Sequence, residues 1–182
     1  MLQRTLLPVL PVLVLVLGGL ALTPAEASEP TASPVGVRST PLDGPTQDRA
    51  MQYTTAQFES RLMAQVNSRR TKVGCPKLRL HASLRASSRA HTTRMADRHT
   101  LSHQLSGEAS FDVRITRAGY RNWRMLAENI AYGSPSPAQL FSSWLHSAPH
   151  RKNIQNCGLR DVGVGVSYAD GLAWATMDFG RH

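Results

Sequence analysis

The sequence predicts an α+β domain over residues 54–182, in which helices pack in layers against a small antiparallel sheet. Two observations carry this prediction. Apolar residues recur at helical spacing in several segments before residue 149, and two strand-like segments close the chain at 162–168 and 172–179. This length is sufficient for one hydrophobic core, and we find no internal repeat.

The first 53 residues divide into a leader and a linker. Arg4 precedes an apolar run at 6–22, and the sequence AEA at 25–27 fits a signal peptidase site. We expect residues 1–27 to be a cleaved secretory signal peptide. A retained membrane anchor fits less well, because prolines and a glycine pair interrupt the run. Residues 28–53 have the composition of a disordered linker. The mature protein is therefore expected to be secreted and not to be an integral membrane protein.

The first helix begins after Thr54, which forms a capping-box pattern with Gln57. Tyr53 and Phe58 occupy the positions of a hydrophobic staple. An apolar stripe then follows at i, i+4 and i+8, formed by Phe58, Leu62 and Val66. Gly74 is expected to end this helix.

A second helix is predicted from Ser83 to Asp97 and a short third one over residues 111–119. His91 lies in the apolar stripe of the second helix. We expect it to be a hydrogen-bonded structural histidine, because no Cys, Asp or Glu stands at ligand spacing from it. The arginine-rich segment 114–125 that follows is expected to be a solvated loop, or else a rim for acidic head groups.

A fourth helix is predicted from Ser136, with Pro137 at its first position, to a point before Pro149. His146 and His150 stand four residues apart, a spacing that would place both side chains on one helical face. Pro149 is expected to push Ala148 out of the helical region and so to break the pair.

The sheet is predicted from three segments. Residues 162–168 and 172–179 read as strands joined by a short turn at 169–171, and residues 126–133 as an earlier strand.

Charge and cysteine content restrict the partners and the chemistry. The formal net charge is +9, which favours attraction to anionic cell-envelope polymers or acidic lipids. Specific nucleic-acid binding is not expected, because no zinc-finger or RNA-binding signature is present and aromatic residues are few. In an oxidising compartment Cys75 and Cys157 are expected to form a disulfide, which argues against a cysteine nucleophile; two free thiols are the alternative.

Four segments taken in order resemble the bacterial secreted branch of the CAP superfamily, also called the SCP or pathogenesis-related-1 fold. They are LSH at 101–103, AENIAYG at 127–133, WLHSAPHRKNI at 144–154 and VGVGVSY at 162–168. The resemblance covers about residues 55–180. It implies an α-β-α sandwich with a central antiparallel sheet and a cleft on one side.

The resemblance also implies a set of cleft residues. The family's two histidines correspond to His103 and His150, and its first acidic residue to Glu128, so the cleft is expected to hold zinc or another divalent cation. Ser147 stands where eukaryotic members carry a second acidic residue, which predicts a weaker site than a three-ligand zinc site. Asn129 and Ser147 are expected to line the cleft.

These residues are compatible with several functions. The favoured one is a secreted ligand-binding or envelope-associated protein that is not an enzyme, or only a weak one. One alternative is a zinc-dependent hydrolase of peptide or cell-wall material with Glu128 as the general base. Others are a serine hydrolase with Ser147 as nucleophile and a carrier of a small lipid or sterol. A purely structural network of Glu128 and the two histidines is the remaining alternative.

Overall fold

The computed structural model describes residues 53–182, so the predicted signal peptide and the linker before Tyr53 lie outside the described residues. The elements in chain order are α1 (Thr55–Lys72), β1 (Arg79–Leu80), α2 (Ala82–Asp97), α3 (Phe111–Arg117), β2 (Met125–Ser134), α4 (Pro137–His146), α5 (Ala148–Ile154), β3 (Asp161–Ala169) and β4 (Leu172–Arg181). None of the helices within 53–182 has the length and apolar character needed to cross a membrane.

The four strands form one sheet in the order β1-β3-β4-β2. The three long strands pair antiparallel, as predicted, and the two-residue β1 adds a parallel pair with β3 at the opposite edge from β2. Helix α2 covers one face of the sheet, while α1, α4 and α5 cover the other. The predicted α-β-α sandwich is therefore confirmed, and β2 is one of its two edge strands.

The start of α1 has the capping box predicted from the sequence. The Thr54 hydroxyl accepts from the Gln57 N–H, and the Gln57 side chain accepts from the Thr54 N–H. The staple is also present, since the Tyr53 and Phe58 rings meet edge to face with centroids 6.3 Å apart. Gly74, at a φ of 78°, follows the helix end.

The main core lies between the sheet and the layer of α1 and α4. It contains the predicted stripe of α1, the large side chains of α4 and alternate residues of β3 and β4, including Phe58, Leu62, Leu140, Trp144, Val164, Met177 and Phe179. Alternation along β4 places residues 174, 176 and 178 on the opposite face, under α2. The polar part of the molecule is built on that face.

Helix α2 lies directly against β3 because two residues of that strand have no side chain. A Cβ atom added at Gly163 would stand 2.0 Å from the Leu84 carbonyl carbon, and one at Gly165 would stand 2.4 Å from the Arg89 nitrogen. Thr92 of α2 uses this proximity to donate a hydrogen bond to the Gly165 carbonyl. Both glycines are thus required by the close approach of helix and strand.

The disulfide between Cys75 and Cys157 is present, as predicted, and the described residues contain no free cysteine. It joins the segment after α1 to the segment after α5. Arg70 reinforces the same junction, because its buried guanidinium donates to the carbonyls of Ile154, Asn156 and Leu159. Helix α5, which carries His150, is therefore fixed to the end of α1.

Two expectations about local structure were wrong. Ala148 is helical: the break between the two histidines falls at Ser147, which has an extended backbone (φ −89°, ψ 118°), and Pro149 lies in the first turn of a separate helix, α5. Proline is compatible with that position, since the first N–H groups of a helix have no intrahelical acceptor. The segment 114–125 is not wholly a solvated loop either, because Arg114 belongs to α3 and is buried. Only residues 121–124 of it are an exposed loop.

Candidate functional site

His103 stands in the loop between α2 and α3 and points its ring at the edge strand. Its Nδ1 lies 2.7 Å from Oε1 of Glu128. Because a carboxylate oxygen is an acceptor, this contact places a hydrogen on Nδ1 and leaves Nε2 as the free nitrogen of the neutral ring. The His103 side chain is 57% exposed, so Nε2 is available to a ligand.

Glu128 lies on β2 with both carboxylate oxygens engaged. Oε1 contacts His103, and Oε2 accepts from Nη2 of Arg114 at 2.8 Å. The side chain is only 3% exposed. Burial alone would raise the pKa of Glu128, but the hydrogen bond from His103 and the charge of Arg114 outweigh burial and lower it. Glu128 is therefore an ionised group that orients the His103 ring.

Asp178 is the cross-strand neighbour of Glu128, on β4. It is fully buried, and neither carboxyl oxygen has a hydrogen-bond partner within residues 53–182. Burial and the negative charge of Glu128 raise the pKa of Asp178 well above its ordinary value, with Arg114 opposing them. The two adjacent buried carboxyls thus differ in proton affinity, since the pKa of Glu128 is lowered and that of Asp178 is raised.

The polar network continues away from the edge through Glu108. Its Oε1 lies 3.8 Å from Nε of Arg114 and accepts from Arg94 at 3.1 Å. His91 contacts Glu108 through Nδ1 and the Ser102 carbonyl through Nε2. The prediction that His91 is a hydrogen-bonded structural histidine is confirmed. Its contact with the Ser102 carbonyl fixes the loop one residue before His103.

His150 reaches the same edge from the opposite layer. Asn129 of β2 donates to the His150 carbonyl at 3.1 Å, and Asn153 donates to the Asn129 side chain at 2.9 Å and to the Glu128 carbonyl at 3.3 Å. These amides hold α5 against β2. Asn129 is completely buried, and it supports the site by holding the His150 backbone in place.

The two histidines are tied to neighbouring residues of β2, His103 through its ring to Glu128 and His150 through its backbone carbonyl to Asn129. Burial lowers the pKa of His150, and His103 is near enough that its protonation lowers that pKa further. The His150 ring makes no hydrogen bond to any residue in the described part of the chain and packs near Trp144, with centroids 6.3 Å apart. We call His103, Glu128 and His150 the edge site.

The remaining predicted residues do not join this arrangement. Ser147 ends α4 and precedes α5, but its hydroxyl makes no capping hydrogen bond and none to His150 among residues 53–182. His146 is exposed and bonds to the Ser142 carbonyl within its own helix. The described residues contain no group of three or more His, Cys, Asp or Glu placed to hold a metal ion.

Comparison with known proteins places this chain in a family. The family model of the cysteine-rich secretory protein family, CAP, matches residues 63–179. The chain belongs to the CAP family. The matched range covers β2, α4, α5, β3 and all but the last two residues of β4. It therefore includes Glu128 and His150, as well as the loop that carries His103.

One curated relative of this CAP domain is YkwD of Bacillus subtilis (strain 168). The two are 30% identical over 125 residues, which are 68% of this chain and 48% of YkwD. The chain therefore spans about half the length of the curated relative it matches.

Solved structures of low identity share the fold. An extracellular SCP-domain protein of Bacillus anthracis strain Ames is 23% identical, with a TM-score of 0.66 over 70% of this chain and 41% of that one. An outer surface protein of Borrelia burgdorferi is 18% identical, with a TM-score of 0.66 over 71% and 96% of the two chains. Both likenesses support the α-β-α sandwich described above.

Arg114, Asp178 and Asn153 are parts of the site that sequence reasoning missed. Asp178 had a usable signal, because it stands between Met177 and Phe179 in a predicted strand that is mostly apolar. Arg114 and Asn153 had none, since their partners are set by tertiary contacts 14 and 25 residues away.

Proposed function

We propose that this chain is an extracellular CAP-domain binding protein whose edge site holds a divalent cation between His103 and His150. The observation that carries this proposal is the His103–Glu128 contact of 2.7 Å. A buried carboxylate on Nδ1 fixes the tautomer and the orientation of a histidine whose Nε2 binds a metal ion, an arrangement common among zinc ligands. Exported relatives of the same fold, such as the extracellular protein of Bacillus anthracis, support the location.

The donor set suits a weak, open cation site. Two imidazoles favour zinc, copper or nickel over calcium or magnesium. The lowered pKa of His150 keeps its ring neutral at pH 7, as a metal ligand must be. With no third acidic or histidine ligand grouped beside them in residues 53–182, the remaining coordination positions would fall to water or to a bound partner. A cation there would supply a positive charge that attracts an oxygen-donating ligand.

Binding is favoured over hydrolysis by the state of Glu128. A general base must accept a proton from an attacking water. Both Glu128 oxygens are already paired, and the side chain is nearly inaccessible. The hydrolase with Glu128 as base is therefore the weaker proposal, and the serine hydrolase has no Ser147–His150 contact to support it.

A lipid carrier needs an apolar cavity, and the larger cavities offer little support for one. A cavity of about 480 Å³ beside α2 is lined by several arginines, and one of about 590 Å³ beside α1 is an open groove that is bordered by Lys72 and Lys77. Association with anionic envelope polymers through the net charge of +9 remains part of the proposal. It predicts that salt releases the protein from such polymers.

The test is a calorimetric titration of zinc into the full chain and four single variants. His103→Ala and His150→Ala should lose at least tenfold in affinity. His146→Ala and His99→Ala, which remove exposed imidazoles outside the edge site, should bind as the parent does. Equal binding by all five proteins, or no binding, would reject the proposed cation site.

The hydrolase alternative is tested separately with Glu128→Gln. A hydrolase that uses this base should lose at least a hundredfold in kcat on peptide or wall fragments while it keeps zinc. A binding protein has no turnover to lose. The two functions are thus distinguished by activity in the parent protein.

A further inference from the structure

A second concave site lies between α2, the loop that follows it and α3. Its volume is about 480 Å³, which is in the range of small-ligand sites. Alanines of α2 and of the end of α3 form much of its wall and leave the space unfilled: Ala86, Ala90 and Ala118, the residue that follows α3. His103 and His150 do not line it, so it is separate from the edge site. We call it the basic cavity.

The charge of the basic cavity is strongly one-sided. Four arginines line it, Arg94, Arg98, Arg114 and Arg117, against a single carboxylate, Glu108. Arg94 pairs with that carboxylate at 3.1 Å, and Arg114 pairs with Glu128 outside the cavity. Arg98 donates only to the Ser106 carbonyl, and Arg117 makes no ion pair within residues 53–182. Two guanidinium groups therefore remain uncompensated.

Arg114 provides an independent sign of a missing partner. Its side chain is 6% exposed, and Nη2 alone makes its hydrogen bonds, to Glu128 and to the His103 carbonyl. Nε and Nη1 are buried without a hydrogen-bond partner in the described residues. Buried donors without acceptors are unfavourable, and a ligand oxygen in the cavity, acting directly or through one ordered water, would satisfy them.

We propose that the basic cavity binds a small oxyanion group, a phosphate or a carboxylate. Planar guanidinium groups match such groups in geometry, because two parallel N–H donors can meet two oxygens. The excess positive charge supplies attraction, and the alanine wall supplies the room. Arg114 contacts Glu128 and the His103 carbonyl of the edge site. The proposal still does not require a cation there, because its test depends on Arg98 and Arg117.

The first arm of the test uses inorganic phosphate as the probe. Phosphate is titrated into the ¹⁵N-labelled full chain at constant ionic strength, and the amide shifts of Gly107 and Ala109 in the cavity wall are followed. Saturable shifts are expected. The double variant Arg98→Gln/Arg117→Gln should bind at least tenfold more weakly, whereas Arg61→Gln, which removes an exposed arginine on the opposite layer, should leave the affinity unchanged.

A second variant protects the test against loss of loop structure. Arg98 holds the loop through Ser106, but the Arg117 side chain makes no hydrogen bond among residues 53–182. Arg117→Gln alone should therefore keep the circular dichroism spectrum and still weaken binding at least threefold. Shifts that never saturate, or equal affinities in the double variant and Arg61→Gln, would overturn the proposal.

The second arm identifies the source of the oxyanion. Vesicles containing phosphatidic acid are offered to the parent protein and the double variant. Sedimentation with vesicles that needs the two arginines and is reversed by free phosphate supports a lipid head group. Saturable phosphate binding without vesicle binding supports a free small ligand. Vesicle binding that the double variant retains, together with no saturation by phosphate, contradicts the proposed site.

Discussion

Replacing Glu128 by glutamine tests the electrostatic account of the site through stability. The substitution keeps size and shape but removes the charge that pairs with Arg114 and His103. Removing one partner of a buried ion pair costs about 3–5 kcal/mol. The His103 contact adds little, because that ring is 57% exposed and solvent screens it.

Two features reduce this cost. The glutamine carbonyl still accepts a hydrogen bond from Arg114, and Asp178 loses the negative neighbour that raises its pKa. An ionised Asp178 would then partly compensate Arg114. We therefore expect Glu128→Gln to lower the free energy of unfolding at pH 7 by about 2–3 kcal/mol, below the full cost of an unpaired buried charge.

The stabilisation by Glu128 depends on pH, and the pKa shift of Glu128 sets the direction of that dependence. The pKa of Glu128 is lowered in the folded state, so the fold binds fewer protons than the unfolded chain near that pKa. The stabilisation by Glu128 is present above the unfolded pKa of about 4.5 and is lost as the pH falls through the folded value. The difference in free energy of unfolding between the parent and Glu128→Gln should therefore become smaller as the pH falls from 7 to 4.

Urea unfolding followed by tryptophan fluorescence at pH 7 and pH 4 measures both quantities. Asp170→Asn is the control, because its partner His99 and Asp170 itself are 58% and 77% exposed; it should change stability by less than about 0.5 kcal/mol. A loss below about 0.5 kcal/mol for Glu128→Gln at pH 7 would refute the buried ion pair.

Three further perturbations test the fold and the site. Gly165→Val should prevent folding or cost at least about 3 kcal/mol, since the new Cβ meets α2 backbone at 2.4 Å; circular dichroism and solubility report the outcome, and native stability would contradict the close packing. Replacing both Cys75 and Cys157 by serine should cost up to about 4–5 kcal/mol by loop-closure entropy. Thermal unfolding of the parent with and without reductant should reproduce that loss, and no change would mean that the bridge is dispensable. The pKa of Asp178 is raised in the fold, so its ionisation destabilises the fold increasingly as the pH rises above the unfolded value of about 3.8. In urea unfolding, Asp178→Asn should therefore gain stability relative to the parent between pH 4 and pH 8. A constant difference would be evidence against a raised pKa of Asp178.

Local signals in the sequence were sufficient for most elements of the fold. The capping boxes and proline positions act within four residues, so Thr54 and Ser136 were predictable as helix starts and are confirmed. The sequence does not predict α5, because Pro149 fits the end of α4 as well as the first turn of a new helix, which is the position it occupies. A proline can follow the end of one helix or stand in the first turn of the next. The extended backbone at Ser147 shows that α4 ends there and that Pro149 belongs to α5.

The site was only partly predictable. The resemblance of short segments to a family indicated His103, Glu128 and His150; in the structure His103 contacts Glu128, and the His150 carbonyl contacts the next residue of the strand, Asn129. The groups that set their charge states come from distant segments: Arg114 from α3 and Asp178 from the neighbouring strand. Such pairing depends on strand register and helix placement, which local periodicity does not determine.

The central claim is that a cation binds between His103 and His150 through the ring nitrogens that the protein leaves free. Imidazole ¹⁵N chemical shifts, recorded while zinc is added to the full chain at pH 7, test it most directly. We expect Nδ1 of His103 to stay protonated on Glu128 while Nε2 of His103 and one nitrogen of His150 shift together at the same zinc concentration. If neither ring shifts, or if zinc moves His146 or His99 instead, the edge site does not bind the cation and the account is contradicted.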